Sequence, residues 1–364
     1  MPERALTDRW TLGGIEIPNR VVLAPLAGIG NWFVRLQAKR YGAGLVVSEM
    51  VSSFGIHHRN HKTVTEMLRT VPEEKPVALQ LFGQDPDVMR SAAAYVAEHT
   101  DVDVVDLNMG CPVPKVMKTG AGAALIKDPD TAVAVAAAAR EGSGLPVTVK
   151  LRSGQRKGDA EGYELAHRLV AEAGVAGISF HPRSAQVHHK GEPDLELARA
   201  LVESLPVPVI LSGGMREPAW IADAFRFTGA EAVMLARGAL GNPWLFARML
   251  GTRDGDPAPG EVVAELHWVM DRAVEHLGPE RAGRYLRKFY PWYVERLGGD
   301  RELQDALQRT STVEEARDAL LALRAFRPDK DRSRPHHAEG RHPHPRRPRE
   351  AQDGARRAHD HQAA

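Results

Sequence analysis

The stretch Val102-Asp103-Val104-Val105-Asp106-Leu107-Asn108-Met109-Gly110-Cys111-Pro112 decides how the rest of the chain is read. Residues 102–107 have the β-branched, apolar density of a strand. The run then turns polar and ends in a Gly-Cys-Pro turn that Pro112 stiffens. Ala-rich helical sequence follows around residues 131–140, and a second apolar strand run occupies 146–151. Strand, helix and strand in that order predict a parallel crossover unit.

The same alternation extends outward in both directions. Toward the C-terminus come a helix over 161–173, a strand at 175–180, a helix over 195–204, and strands at 208–211 and 231–235. Toward the N-terminus come a helix over 86–98 and strands at 76–81, 45–48 and 21–24, with a helix near 31–40. Near-continuous apolar strands alternating with helices imply a parallel sheet covered by helices. Eight such units in about 230 residues predict an α/β fold of the (β/α)8 TIM-barrel type. A doubly wound sheet would carry a G-x-G-x-x-G turn after its first strand. Here that turn is Ala24-Pro25-Leu26-Ala27-Gly28. The preceding Thr11-Leu12-Gly13-Gly14-Ile15-Glu16-Ile17 reads as a small hairpin with a Gly-Gly turn, placed to plug the bottom of the barrel.

After Gly251 the pattern changes. Residues 252–260 form a linker, and helical periodicity without strand signal then runs over 261–326. Residues 327–364 are Pro-, Arg- and His-rich with almost no apolar residues, which predicts a disordered tail. Its histidines read as solvated rather than as a metal site. The expected organisation is therefore a barrel domain over 1–251, a helical domain over 261–326 and a basic tail over 327–364.

Bulk properties narrow the class of function. Of 364 residues, 43% are hydrophobic, enough for a sizeable core. No apolar run reaches the roughly 18 residues of a membrane span, and the polar start lacks a signal-peptide core. The single cysteine forms no internal disulfide. A reducing, cytoplasmic setting is expected, with no membrane partner and no obligate protein partner. Net charge is +1, yet the last 38 residues hold ten Lys/Arg against six Asp/Glu. Of the totals 48 and 47, that leaves the body 38 cations against 41 anions, so polyanion contacts by the body must come from local clusters.

Polar residues at the carboxyl ends of barrel strands face the active site. The candidates are Ser48 and Glu49, Gln80, Asn108 and Cys111, Lys150 and Arg152, His181 and Arg183, Ser212-Gly213-Gly214, and Arg237-Gly238. Loops after the seventh and eighth strands commonly cradle a phosphate with backbone N–H groups, and Arg237 would add a bidentate contact. Lys150, continuing an apolar strand, is costly to bury without a partner; it reads as a Schiff-base lysine or as a cation facing an anionic ring. His181 reads as a cofactor contact or an acid, and Gln80 as a reader of a heterocycle edge or a backbone-bonded core amide. Cys111 has no metal set around it, since His57-His58 and His188-His189 lack zinc spacing. It is a nucleophile or a proton donor.

Taken together, Ala24-Pro25-Leu26-Ala27-Gly28, Val47-Ser48-Glu49-Met50, Gln80-Leu81-Phe82-Gly83, Asp106 through Pro112, Val149-Lys150-Leu151-Arg152, His181-Pro182-Arg183, Ser212-Gly213-Gly214 and the run Arg237 through Trp244 resemble the ordered motifs of the tRNA-dihydrouridine synthases, most closely the bacterial B type. The resemblance covers roughly residues 10–325. It implies FMN at the top of the barrel, NADPH or NADH as reductant, and tRNA held by the helical region. On that basis Pro25, Leu26 and Ala27 would lie against the flavin, and Gln80 and Lys150 would bond its pyrimidine ring. Ser212, Gly213, Gly214, Ala236 and Arg237 would hold its phosphate end. Hydride would pass to C6 of a flipped uracil and Cys111 would protonate C5. Asn108 and His181 would orient flavin or substrate, and Arg152 would support the substrate side. Three positions depart from the family pattern: Leu26 where Met is frequent, Pro182 where Gly is common, and Ser212 where Asn is usual.

The helical region carries a matching signal. Arg281, Arg284 and Lys288 fall on one helix face, with Arg287 beside them and Tyr290, Trp292 and Tyr293 following. A basic stripe beside aromatics suits phosphate contact and base stacking. It argues against another FMN TIM-barrel oxidoreductase acting on a small pyrimidine-like substrate. Cys111 and Lys150 argue against an RNA-binding protein without catalysis.

Overall fold

The computed structural model describes residues 4–326; the expected tail over 327–364 lies outside them. A hairpin of β1 (Trp10–Leu12) and β2 (Ile15–Ile17) opens the chain. The barrel strands are β3 (Val21–Leu23), β4 (Leu45–Val47), β6 (Val77–Phe82), β7 (Val104–Met109), β8 (Val147–Arg152), β9 (Gly177–His181), β10 (Val209–Ser212) and β11 (Ala232–Leu235). A two-residue strand, β5 (Val51–Ser52), extends the sheet beside the end of β6. All barrel pairings are parallel, and the β4–β6 pairing closes the ring in the order β3, β4, β6, β7, β8, β9, β10, β11. This is the expected TIM barrel.

The two-residue period of a strand sorts its side chains into two cores. Val21, Leu23, Val105, Leu107, Val149 and Leu151 point outward into the layer under the helices. Val22, Leu45, Ala78, Val104, Ile210 and Ala232 point inward and, with Trp10, Leu12 and Ile17 of the hairpin, fill the bottom of the barrel. The hairpin is thus the plug expected from its sequence. Gly177 makes room for it, because a Cβ there would come within 2.8 Å of the Leu12 side chain. Fully burying a leucine such as Leu12 contributes about 1.5–3 kcal/mol.

The covering helices begin at α1 (Trp32–Arg40), α2 (Ser53–His57), α3 (Pro86–His99), α4 (Pro114–Met117) and α5 (Pro129–Ser143), and continue with α6 (Glu161–Ala173), α7 (Leu195–Ser204), α8 (Pro218–Thr228) and α9 (Trp244–Met249). Their starts follow capping chemistry: Asn31, Asp85, Asp128 and Asp194 each accept backbone N–H groups of the first turn. No described helix is long and apolar enough to cross a membrane.

Beyond the barrel, α10 (Pro259–Leu277), α11 (Pro279–Leu286), α12 (Tyr290–Arg296), α13 (Arg301–Arg309) and α14 (Val313–Phe326) follow without a further strand. They belong to the same compact unit as the barrel. The joint is polar but satisfied: the buried Glu265 carboxylate of α10 accepts from Gln37 Nε2 at 2.8 Å, Arg40 Nη1 at 3.1 Å and the Tyr41 hydroxyl at 2.8 Å. Three donors offset the desolvation that an unpaired carboxylate would suffer.

Candidate active site

Moving up the barrel, the inward positions change from apolar to polar. Register aligns Gln80, Asp106 and Thr148 across β6, β7 and β8, and one layer higher it aligns Asn108, Lys150 and Ser179. The strands run further than the sequence suggested. The ladder continues through the pairs Asn108–Lys150 and Arg152–His181, so Asn108, Arg152 and His181 are themselves strand residues.

The lower polar layer is a closed network. The fully buried Asp106 accepts from Gln80 Nε2 and from the Thr148 hydroxyl, both at 2.6 Å. Burial pushes its carboxyl up to about 6 despite these donors. Gln80 Oε1 in turn accepts from Asn108 Nδ2 at 2.9 Å. Gln80 is wholly buried, so its amide serves the network as well as any ligand.

Above it, Asn108 Oδ1 accepts the Cys111 backbone N–H at 2.9 Å. The Cys111 carbonyl accepts from Ala123 N at 3.0 Å, and Arg152 Nε donates to the Gly110 carbonyl at 2.9 Å. The half-buried thiol is therefore set by bonds to its own loop from three sides. Arg152 also donates to the carbonyls of Ser184 at 3.1 Å and His188 at 2.7 Å. Arg152, a residue 4% exposed, thus braces the loops after β7 and β9.

Lys150 Nζ donates to the Ser212 hydroxyl at 3.3 Å. Burial and the Arg152 charge bring its ammonium down to about 8. Burial likewise lowers Arg152 to about 10 and depresses Arg183 and Arg237. His181 is driven well below its ordinary range by burial and by Lys150, Arg152 and Arg183. His189, its rings stacked 6.1 Å from those of His181, falls to about 4 through burial and the charges of Arg237, Arg152 and Arg183. Both imidazoles are neutral at pH 7. Crowded cations that depress one another make a site that favours an anion. Gly213, at φ +102°, is the backbone beside this cluster, and a Cβ there would meet the His181 ring at 2.4 Å. Only glycine lets the chain pass so close.

On the β3 side, Pro25 is half-buried, Leu26 buried and Ala27 exposed. The backbone of Gly28 is held on both sides of its Cα. Its N–H donates to Glu49 Oε2 at 2.7 Å, and its carbonyl accepts from Lys288 Nζ at 3.1 Å and the Tyr285 hydroxyl at 3.4 Å. Burial raises the Glu49 carboxyl despite that donor.

The structure thus brings Gln80, Asn108, Cys111, Lys150, Arg152, His181, Ser212 and Gly213 together, with Arg237 near enough to act on Arg183 and His189. The basic stripe is divided. Arg281 makes a bidentate pair with Glu66 at 2.9 and 3.0 Å, Arg287 bonds the Thr310 carbonyl, and Lys288 holds Gly28, while Arg284 is exposed. In the sequence Asp106 stands only within a motif, Thr148 has no assigned site role, and His189 enters only as a candidate metal ligand. Asp106 and Thr148 were detectable, each lying two residues before a site residue and so on the same strand face. His189 had no such signal, since its place depends on a loop folding back.

Comparisons with known proteins point to one family. The profile of a family described as "Dihydrouridine synthase (Dus)" matches residues 22–327. The chain is 32% identical over 322 residues to "tRNA-dihydrouridine synthase B" of Xanthomonas axonopodis pv. citri, covering 86% of this chain and 93% of that one. It is 36% identical over 327 residues to a "Probable tRNA-dihydrouridine synthase" of Mycobacterium tuberculosis, covering 85% and 83%. Among solved structures, histamine dehydrogenase from Rhizobium sp. 4-9 superposes with a TM-score of 0.51 at 12% identity over 68% of this chain and 48% of that chain. A 2-naphthoyl-CoA reductase superposes with a TM-score of 0.51 at 14% identity over 68% and 52%. The chain spans about half the length of these two structures, and the likeness concerns the fold alone.

Proposed function

Since the chain belongs to the dihydrouridine synthase family, we propose that it reduces the C5=C6 bond of uridines in tRNA, using FMN with NADPH or NADH as reductant. The observation that carries the reading is a loop-fixed thiol, Cys111, at the same strand ends as the buried Lys150 and close enough to act on its ammonium. The donor set fits the cofactor: the buried Lys150 ammonium, on which Asp106 acts without a direct ion pair among the described residues, donates to the Ser212 hydroxyl, and the Arg183–Arg237 cluster beside Gly213 favours a phosphate.

Bound FMN supplies the hydride that C6 of the uracil receives, and the nicotinamide restores it. The chain's own residues do the rest. Lys150, anchored by Ser212, offsets negative charge at the pyrimidine end of the ring. Gln80 borders that end from the network below. Pro25, Leu26 and Ala27 cover the ring, while Gly213, Gly214, Ala236 and Arg237 hold the phosphate. Neutral His181 hydrogen-bonds without adding charge. Cys111 gives its proton to C5 and takes one back from water, with Asn108 and Arg152 holding its loop in place. The uracil must leave its stack to reach this depth. Helices α10 to α14 serve as the RNA-holding segment, through Arg284 and through Arg281, Arg287 and Lys288 where their present partners yield to phosphate.

The test is direct. Purified protein should show the flavin absorbance band, and with NADPH and unmodified tRNA it should form dihydrouridine. Turnover of free uracil or uridine with none on tRNA would replace this reading with a small-molecule oxidoreductase.

A further inference from the structure

Cations on four of the flanking helices are paired with carboxylates, whereas four on the loops after β7 and β8 are not. The only basic residues of α3, α6, α7 and α8 other than histidine are Arg90, Arg168, Arg199 and Arg226, and each meets a carboxylate, at 2.6, 2.7 and 2.8 Å for the first three and closer still for the last. Arg140 of α5, folded against Gly174, and Lys39 of α1, bonded to the Gly44 carbonyl at 3.0 Å, are exceptions on the other covering helices. On the loops after β7 and β8, Lys115, Lys118, Arg156 and Lys157 are all exposed, and none pairs with a carboxylate among the described residues.

Carboxylates do occur on the loops after β7, β8 and β9, but those described are engaged by groups other than these four side chains. Asp128 caps α5 and Asp194 caps α7. Asp159 accepts the Arg156 backbone N–H at 2.7 Å, Glu161 lies against Gly154, and Glu192 acts on Arg183.

The loops form one wall. Gln155 Nε2 donates to the Ala123 carbonyl, joining the loops after β7 and β8. Ala185 N bonds Gly154 O at 2.8 Å, Gln186 N bonds Gln155 O at 2.9 Å, and Lys157 N bonds Gln186 Oε1 at 3.2 Å, joining the loops after β8 and β9. Backbone already ordered loses little entropy when a ligand arrives. Beside Cys111, Val113 is 48% exposed, one of few large apolar side chains left uncovered among the described residues. In the ring order β8 stands four strands from β3, so this wall lies across the mouth from the loop that Tyr285 and Lys288 grip.

We propose that this wall is a second RNA-backbone contact: Lys115, Lys118, Arg156 and Lys157 hold phosphates next to the flipped uridine, while the helical segment holds the RNA from the opposite side. The inference rests on the tRNA reading above. It is tested by replacing all four residues with Ala and measuring the affinity for unmodified tRNA as a function of salt. Each lost phosphate contact lowers the salt slope by roughly 0.7–0.9, so the slope should fall by about 3, with affinity at least tenfold weaker at about 0.15 M salt. Flavin absorbance and the thermal midpoint serve as checks that the variant is folded. A charge-matched control, Arg90, Arg168, Arg199 and Arg226 to Ala, should keep the wild-type slope. Equal slopes for wild type and the wall variant, or equal losses in the control, would overturn the wall while leaving the function standing. Wild-type protein that does not bind tRNA would instead overturn the function itself.

Discussion

Asn108 and Cys111 are joined side chain to backbone, the Cys111 N–H donating to Asn108 Oδ1 at 2.9 Å. The same amide donates to Gln80 at 2.9 Å, so the thiol's loop is tied to the polar layer inside the barrel. Asn108→Ala cuts that tie. Turnover at saturating tRNA should drop about 10- to 100-fold, since a displacement near 1 Å costs on that order. Flavin content should hold. Unchanged turnover would remove Asn108 from any positioning role.

Cys111→Ala removes the proton donor but no part of the cofactor cradle. Dihydrouridine formation should fall about 10²- to 10⁴-fold. Bleaching of the flavin band by NADPH should proceed at the wild-type rate. Parallel loss of both activities would place Cys111 in cofactor handling instead.

Lys150 gives a pH signature. Its folded pKa of about 8 lies below its ordinary 10.5. Between those values the unfolded chain binds the proton and the folded one does not, so its contribution to stability rises with pH across that window. Charge toward the cofactor is lost over the same rise. Affinity of the apoprotein for FMN should weaken as pH passes about 8, and Lys150→Met should bind weakly without that step. Fluorescence titration across pH measures both.

Arg35 and Glu74 form an ion pair with side chains 1% and 0% exposed. Arg35 also bonds the carbonyls of Gly30 at 2.9 Å and Arg69 at 2.8 Å. Arg35→Met leaves a buried carboxylate unpaired and should cost about 3–5 kcal/mol in denaturant unfolding. Adding Glu74→Leu should recover part of that loss. A double variant as unstable as the single one would show that the backbone contacts, not the charge, set the cost.

Much of the barrel was legible because strand identity is written locally. β-branched runs such as 102–107 and 146–151 carry their own signal, and the Gly13-Gly14 hairpin carried its turn. Strand ends were less legible: the ladder, not propensity, carried β7 on to Met109 and β8 on to Arg152. Of the site, the residue types at strand ends were readable from one-dimensional spacing. Their partners were not, since the Lys150–Ser212 contact spans 62 positions and the Arg152–His188 contact 36.

The helical stripe shows the same division. Arg281, Arg284, Arg287 and Lys288 read alike along a helix, because helical period alone decides which face they share. Glu66, Thr310 and Gly28 assigned three of them different partners, and only packing against distant segments brings those groups within reach. Order along the chain, residue type and strand alternation therefore settled the barrel and the identity of Cys111, Lys150 and their neighbours. Chain closure settled which of those groups touch, which charges are buried and how far each pKa moves, because Coulomb and desolvation energies depend on distance in space and not on separation in sequence.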